Sequence, residues 1–141
     1  MNATEATNAG RSQGSGESLF VDSSVLVAVA LTQADAASAQ ERLLGADRRW
    51  ASPLLRAEYA AACVRERLEA PPEPLSWLHW TTDAGSLTRE IDAVLSTGYV
   101  RGADCWHLAT ALWLAPEPSE LTFFTLDTRQ RQVADRLGFR T

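Results

Sequence analysis

Lysine is missing altogether: every one of the thirteen basic residues is an arginine. A P-loop nucleotide site needs a lysine against the phosphates, so that chemistry is excluded. Cysteine is scarce. Cys63 and Cys105 lie in alanine-rich stretches and no CxxC occurs. They read as buried, reduced thiols rather than a disulfide framework. The two histidines, His79 and His107, share no zinc-ligand spacing with these cysteines. Long apolar runs are absent too. The longest, Val25–Leu31, falls far short of the ~18–20 residues that cross a bilayer. No apolar N-terminal segment of signal-peptide type is present. The chain is therefore expected to be cytoplasmic, with no membrane partner. An excess of positive charge is the last absence. The net charge is −5 and the pI about 5.0, so binding of a polyanion by bulk charge is disfavoured.

What is present suits one domain. The 141 residues are 45% apolar, enough for a single core. Residues 1–17 carry no apolar anchor and are expected to form a disordered tail ahead of a domain over 18–141. Strands and helices then alternate. Leu19–Asp22 reads as a buried strand. Val25–Thr32 and Ala36–Leu44 read as helices, and Trp50–Ser52 as a short strand. A helix follows from Ser52 as N-cap, with Pro53 at its first position, to about Glu69. Leu75–Thr82 is ambiguous between a short helix and an edge segment. Ser86–Thr97 and Ala103–Ala115 read as helices, Leu121–Leu126 as a strand, and Thr128–Leu137 as a helix closed by Gly138. Phe139–Thr141 is a candidate last strand. This order implies an α/β fold: a central parallel sheet of four to five short strands with helices on both faces. Ligands of such sheets bind beyond the carboxyl ends of the strands.

Four acids stand at positions that can converge at that end, two closing strands and two in early turns of helices. Asp22 and Asp127 each close an apolar strand. Asp127 also stands in capping-box spacing with Gln130. Glu58 lies on the apolar face of its helix and needs a cation, for which an arginine ion pair is the plain solution. Asp104 is in a first helical turn, where the dipole favours an acid, yet its i+3, i+4 and i+7 neighbours are His107, Leu108 and Ala111. Each alone is explained by local structure. Together they would repel one another strongly, and a divalent cation resolves the conflict. Mg²⁺ or Mn²⁺ prefers such oxygen ligands, and a carboxylate cluster around a hydrated metal suits phosphodiester hydrolysis. His107 either packs in the core, orients Asp104 or meets a substrate phosphate. Arg101 and Arg129 are plain surface arginines or phosphate contacts. Trp106 and Trp113, seven apart on one helix, read as structural. The helix Ala103–Ala115 is apolar almost all round, so part of it should face the core or another chain.

The stretches "LFVDSSVLVA", "SPLLRAEYA", "GADCWHLATAL" and "FFTLDTRQRQVADRLGF" resemble PIN-domain ribonucleases, most closely the VapC-type toxins of toxin–antitoxin pairs. The resemblance covers 18–141. It implies a PIN-like three-layer fold and assigns Asp22, Glu58, Asp104 and Asp127 to catalysis and metal binding. It adds Ser24 and Thr125 as supporting residues. It further implies a Mg²⁺- or Mn²⁺-dependent endoribonuclease, an RNA substrate, a cognate antitoxin and a homodimer. The alternatives are a non-catalytic PIN-like RNA- or protein-binding module and a DNA- or flap-directed nuclease of related fold. Receiver domains and haloacid-dehalogenase phosphatases also place an Asp after the first strand. Both rely on a lysine that is missing here, and the phosphatases want an acid where Ser24 stands.

Overall fold

Strand β1 (Ser18–Val21) organises the molecule because its side chains alternate between two cores. Leu19 and Val21 enter one core and Phe20 the other, and all three are fully buried. A strand can be apolar on both faces only where helices cover both, which is the condition of a parallel sheet. The computed structural model describes residues 14–141. After β1 come α1 (Ser23–Ala30), α2 (Ala36–Gly45), β2 (Arg48–Ala51), α3 (Leu54–Arg65), α4 (Glu73–Ser76) and β3 (His79–Trp80). The chain continues through α5 (Thr88–Thr97), α6 (Gly102–Leu114), a 3-10 turn, β4 (Thr122–Phe124) and α7 (Thr128–Leu137). The sheet order is β3-β2-β1-β4, and every pairing is parallel. Val25, Leu26, Leu43, Leu55 and Tyr59 cover one face. Val94, Leu108, Phe123, Val133 and Phe139 cover the other.

The α/β architecture is the one expected, and the departures are local. β2 begins at Arg48, earlier than its apolar residues suggest, because the Arg49 guanidinium is absorbed by three carbonyls. It donates to Trp77, Ala46 and Leu43 at 2.8, 2.8 and 3.0 Å. α3 stops at Arg65, short of Glu69. Arg67 turns left-handed (φ 55°) and Leu68 N–H bonds back to Cys63 O at 2.8 Å, closing the helix as a C-cap does. The ambiguous segment resolves into α4 and the two-residue strand β3. β4 ends at Phe124, because the residues that follow leave the ladder to build the site described below. Past α7, Gly138 takes φ +103°, a conformation that strains any side chain. Arg140 then makes a single parallel bridge to Thr122 in place of a fifth strand.

Of the tail expected over 1–17, residues 1–13 lie outside the described residues. Ser15 N–H bonds Gly45 O (2.8 Å), and the Glu17 carboxylate accepts from Arg42 (3.1 Å) and Thr122 (3.2 Å). The Arg42 guanidinium holds the Glu17 carboxyl below its usual range. Cys63 and Cys105 are free and buried. No helix among the described residues is long and apolar enough to cross a membrane.

Candidate active site

The sheet order puts β1 between β2 and β4. The chain leaves β1 toward β2 on one side and returns later to β4 on the other. Between the carboxyl ends of β1 and β4 the crossovers diverge, and a crevice opens there. Asp22 follows β1 directly, and Thr125 and Asp127 follow β4. α3 carries Glu58, while α6 carries Asp104 and His107.

Asp22 is almost wholly buried, at 3% exposure. Its Oδ2 accepts from Ser24 N–H at 3.1 Å and so caps α1. Its Oδ1 accepts from the Gln130 side-chain amide at 3.3 Å. Asp127 divides its work similarly: Oδ1 caps α7 through Gln130 N–H at 2.8 Å, leaving the second oxygen for other partners. Capping and a site role are compatible, because a carboxylate has two oxygens.

The charges converge on Asp104. Burial pushes its carboxyl up from the ordinary 3.8, and the charges of Asp22, Asp127 and Glu58 push it the same way, against Arg101. Its fold therefore binds a proton more tightly than the unfolded chain does. Without metal, stability should fall as pH rises above about 3.8 through the raised folded value, and then level off. Asp104→Asn should erase that fall. In a chelator at neutral pH this variant is expected to melt no lower than the parent, with the difference vanishing as pH approaches 3.8. Thermal melts across pH in EDTA check this. A variant that melts well below its parent would make Asp104 a structural cap.

Of the three readings of His107, the structure favours packing in the core over the other two. The side chain is fully buried, so it does not reach a substrate phosphate. Nor does it orient Asp104: its Nε2 meets a Glu58 carboxylate oxygen directly and lies 4.0 Å from Asp22 Oδ1. The partner of Glu58 is thus a histidine, not an arginine. Nδ1 is buried without a hydrogen-bond partner among the described residues. Arg101 and Arg129 are exposed at the rim. Arg101 Nε is 3.9 Å from Asp104 Oδ2, and Arg129 Nε donates to Tyr99 O at 3.0 Å.

A hydroxyl–amide network backs the acids. Leu126 N–H donates to Ser24 Oγ at 3.0 Å, and Ser24 Oγ lies 3.3 Å from Thr125 Oγ1. Thr125 Oγ1 accepts from Asp127 N–H at 3.1 Å. Its single proton faces two acceptors, Gln130 Oε1 at 2.7 Å and Asp22 Oδ2 at 3.2 Å. The shorter contact orients the Gln130 amide, whose nitrogen then points at Asp22 Oδ1 and, at 3.5 Å, at Asp104 O. Gln130 is fully buried and was missed as a site residue. Capping-box spacing assigned its side chain to the Asp127 backbone, but only its backbone N–H joins that cap. The signal for it is the amide itself, a group that must find several partners once buried.

Among the described residues, no three His, Cys, Asp or Glu side chains stand together closely enough to grip a metal ion as they are. The donor chemistry still fits a hard cation. Burial and the repulsion of neighbouring carboxylates disfavour the Asp104 charge, a cost that a divalent cation would offset, and Mg²⁺ keeps several waters and takes only one or two carboxylates directly.

Comparison with curated proteins finds no match. The PIN domain family model matches residues 19–136. That span runs from β1 through α7 and holds all four acids; the chain belongs to the PIN domain family.

Proposed function

We propose that this protein is a Mg²⁺- or Mn²⁺-dependent endoribonuclease. PIN domains are in general nucleases. The observation that carries the reading is the Asp104 carboxyl beyond the carboxyl ends of the strands, raised first by burial and then by the charges of Asp22, Asp127 and Glu58. Asp22, Glu58, Asp104 and Asp127 would hold the cation, which when bound supplies Lewis-acid activation of water and neutralises charge building on the phosphate.

The protein's own groups do the rest. Gln130 and Thr125 fix the Asp22 carboxylate, and Ser24 fixes Thr125. His107 holds Glu58. Arg101 and Arg129, at the rim of an otherwise acidic cleft, take the substrate phosphates. Hydrolysis by water requires no 2′-hydroxyl attack, so products should carry 5′-phosphate and 3′-hydroxyl ends. Incubating structured RNA with purified protein in Mn²⁺ and in EDTA, then mapping the ends, tests this. Undiminished cleavage in EDTA, or 2′,3′-cyclic phosphate ends, would sink it.

The finer reading follows the motif resemblance: the toxin of a toxin–antitoxin pair, a cytoplasmic homodimer held inactive by a cognate antitoxin. An antitoxin arginine entering the cleft would pair with these carboxylates. Co-expression with the product of the adjacent upstream gene should give a stable complex on size exclusion that is inactive on RNA. Absence of co-purification would leave a nuclease without that regulation.

A further inference from the structure

We propose that the hollow between α5 and α6 is a subsite for a nucleobase of the RNA substrate, flanking the scissile phosphate. This rests on the ribonuclease reading above. The hollow measures about 520 Å³ and is lined by Ile91, Leu95, Val100 and Cys105, with Tyr99 and Trp106 supplying aromatic rings. That volume is within the usual range for small-ligand sites, about 300–1,000 Å³.

Its aromatics are poorly explained by packing. Tyr99 is 68% exposed and Trp106 39%. Yet the Trp106 ring is held at its edge, because Nε1 donates to Ser52 Oγ at 3.1 Å. An exposed indole fixed in this way is a pre-organised flat surface. Stacking on such a ring is how unpaired bases are bound with little sequence demand.

The charge around the hollow selects the occupant. Arg101, two residues from Tyr99, leans toward Asp104, and Arg129 is bonded to the Tyr99 carbonyl. An occupant must therefore offer a flat apolar ring attached to anions, which describes a nucleotide. A second copy of this chain would bring the same two arginines to the face, and those near the two-fold axis would meet their own kind. The hollow and the cleft also share α6: Cys105 and Trp106 line the hollow, while Asp104 belongs to the cleft.

The test uses the full chain carrying Asp104→Asn, so that RNA is bound and not cut. Fluorescence anisotropy with a short single-stranded RNA is read in Mg²⁺. Adding Tyr99→Ala should weaken binding about five- to hundredfold, whereas Tyr99→Phe should keep it. Trp106→Leu should act like Tyr99→Ala; should it unfold, the exposed Tyr99 pair decides alone. An abasic oligonucleotide should bind the Asp104→Asn protein more weakly, and Tyr99→Ala should then cost nothing further. Equal affinity for Tyr99→Ala, or for the abasic strand, overturns the subsite and leaves the nuclease reading standing. A parent dimer that Tyr99→Ala converts to a monomer assigns the face to a second copy and also overturns it. No RNA binding by any form sinks both.

Discussion

Asp104→Asn is expected to reduce RNA cleavage by on the order of 10³-fold while leaving the fold intact. The asparagine keeps the shape and one acceptor oxygen but loses the charge. Burial, and then the charges of Asp22, Asp127 and Glu58, make the Asp104 charge costly to hold without metal. Single-turnover cleavage in Mn²⁺ measures the loss. Circular dichroism and melting in EDTA measure the fold. Activity within tenfold of the parent would remove Asp104 from the metal set and shift the reaction to Asp22 and Glu58. A parallel loss of fold would instead mean that its place in the first turn of α6 outweighs its place in the cleft.

Gln130→Met is expected to lower Mn²⁺ affinity about 10–100-fold, the usual cost when a group that orients a ligating carboxylate is removed. Methionine matches the length of glutamine and fills the same buried space, so the change is in hydrogen bonding. Asp22 Oδ1 loses its amide donor, and Thr125 loses its nearest acceptor and turns to Asp22 Oδ2. Asp22 then keeps its cap on α1 but not its second anchor. Unpairing a buried carboxylate oxygen also costs about 1–3 kcal/mol of stability. Calorimetric titration with Mn²⁺ separates the two effects, since affinity is measured on protein that remains folded. Gln130→Glu should be worse in EDTA, because it sets a further negative charge against Asp22, and Mn²⁺ should recover part of that loss. Unchanged Mn²⁺ affinity in Gln130→Met would reduce Gln130 to a packing residue.

Most of the fold was legible because its signals are local. The Leu19–Val21 run is short and apolar on both faces, which only a covered parallel strand tolerates. Asp22 and Asp127 announce helix starts through cap chemistry, and Gly138 announces a helix end. β2 was harder, since Arg48 and Arg49 look like surface. Only the arrival of α2 and the Trp77 segment supplies the carbonyls that bury the Arg49 guanidinium. The early end of α3 was hidden for a similar reason, because residues 66–69 carry no glycine or proline to mark the left-handed turn at Arg67.

By itself the sequence determined the strand–helix order and the types of residue at the strand ends. Periodicity and capping act between residues a few positions apart. It also excluded the lysine-dependent phosphate chemistries outright. Tertiary structure decided the partnerships. Glu58 needs a partner, and the chain offers thirteen arginines, yet the fold brings it the buried His107 of α6 instead. Gln130 looks like the second half of a capping box, yet the approach of β4 to β1 turns its amide onto Asp22. In both cases spacing sets only what a side chain can reach along its own element. Which buried polar group meets which is settled by how the helices close over the sheet, since each must find a partner there or forfeit its hydration.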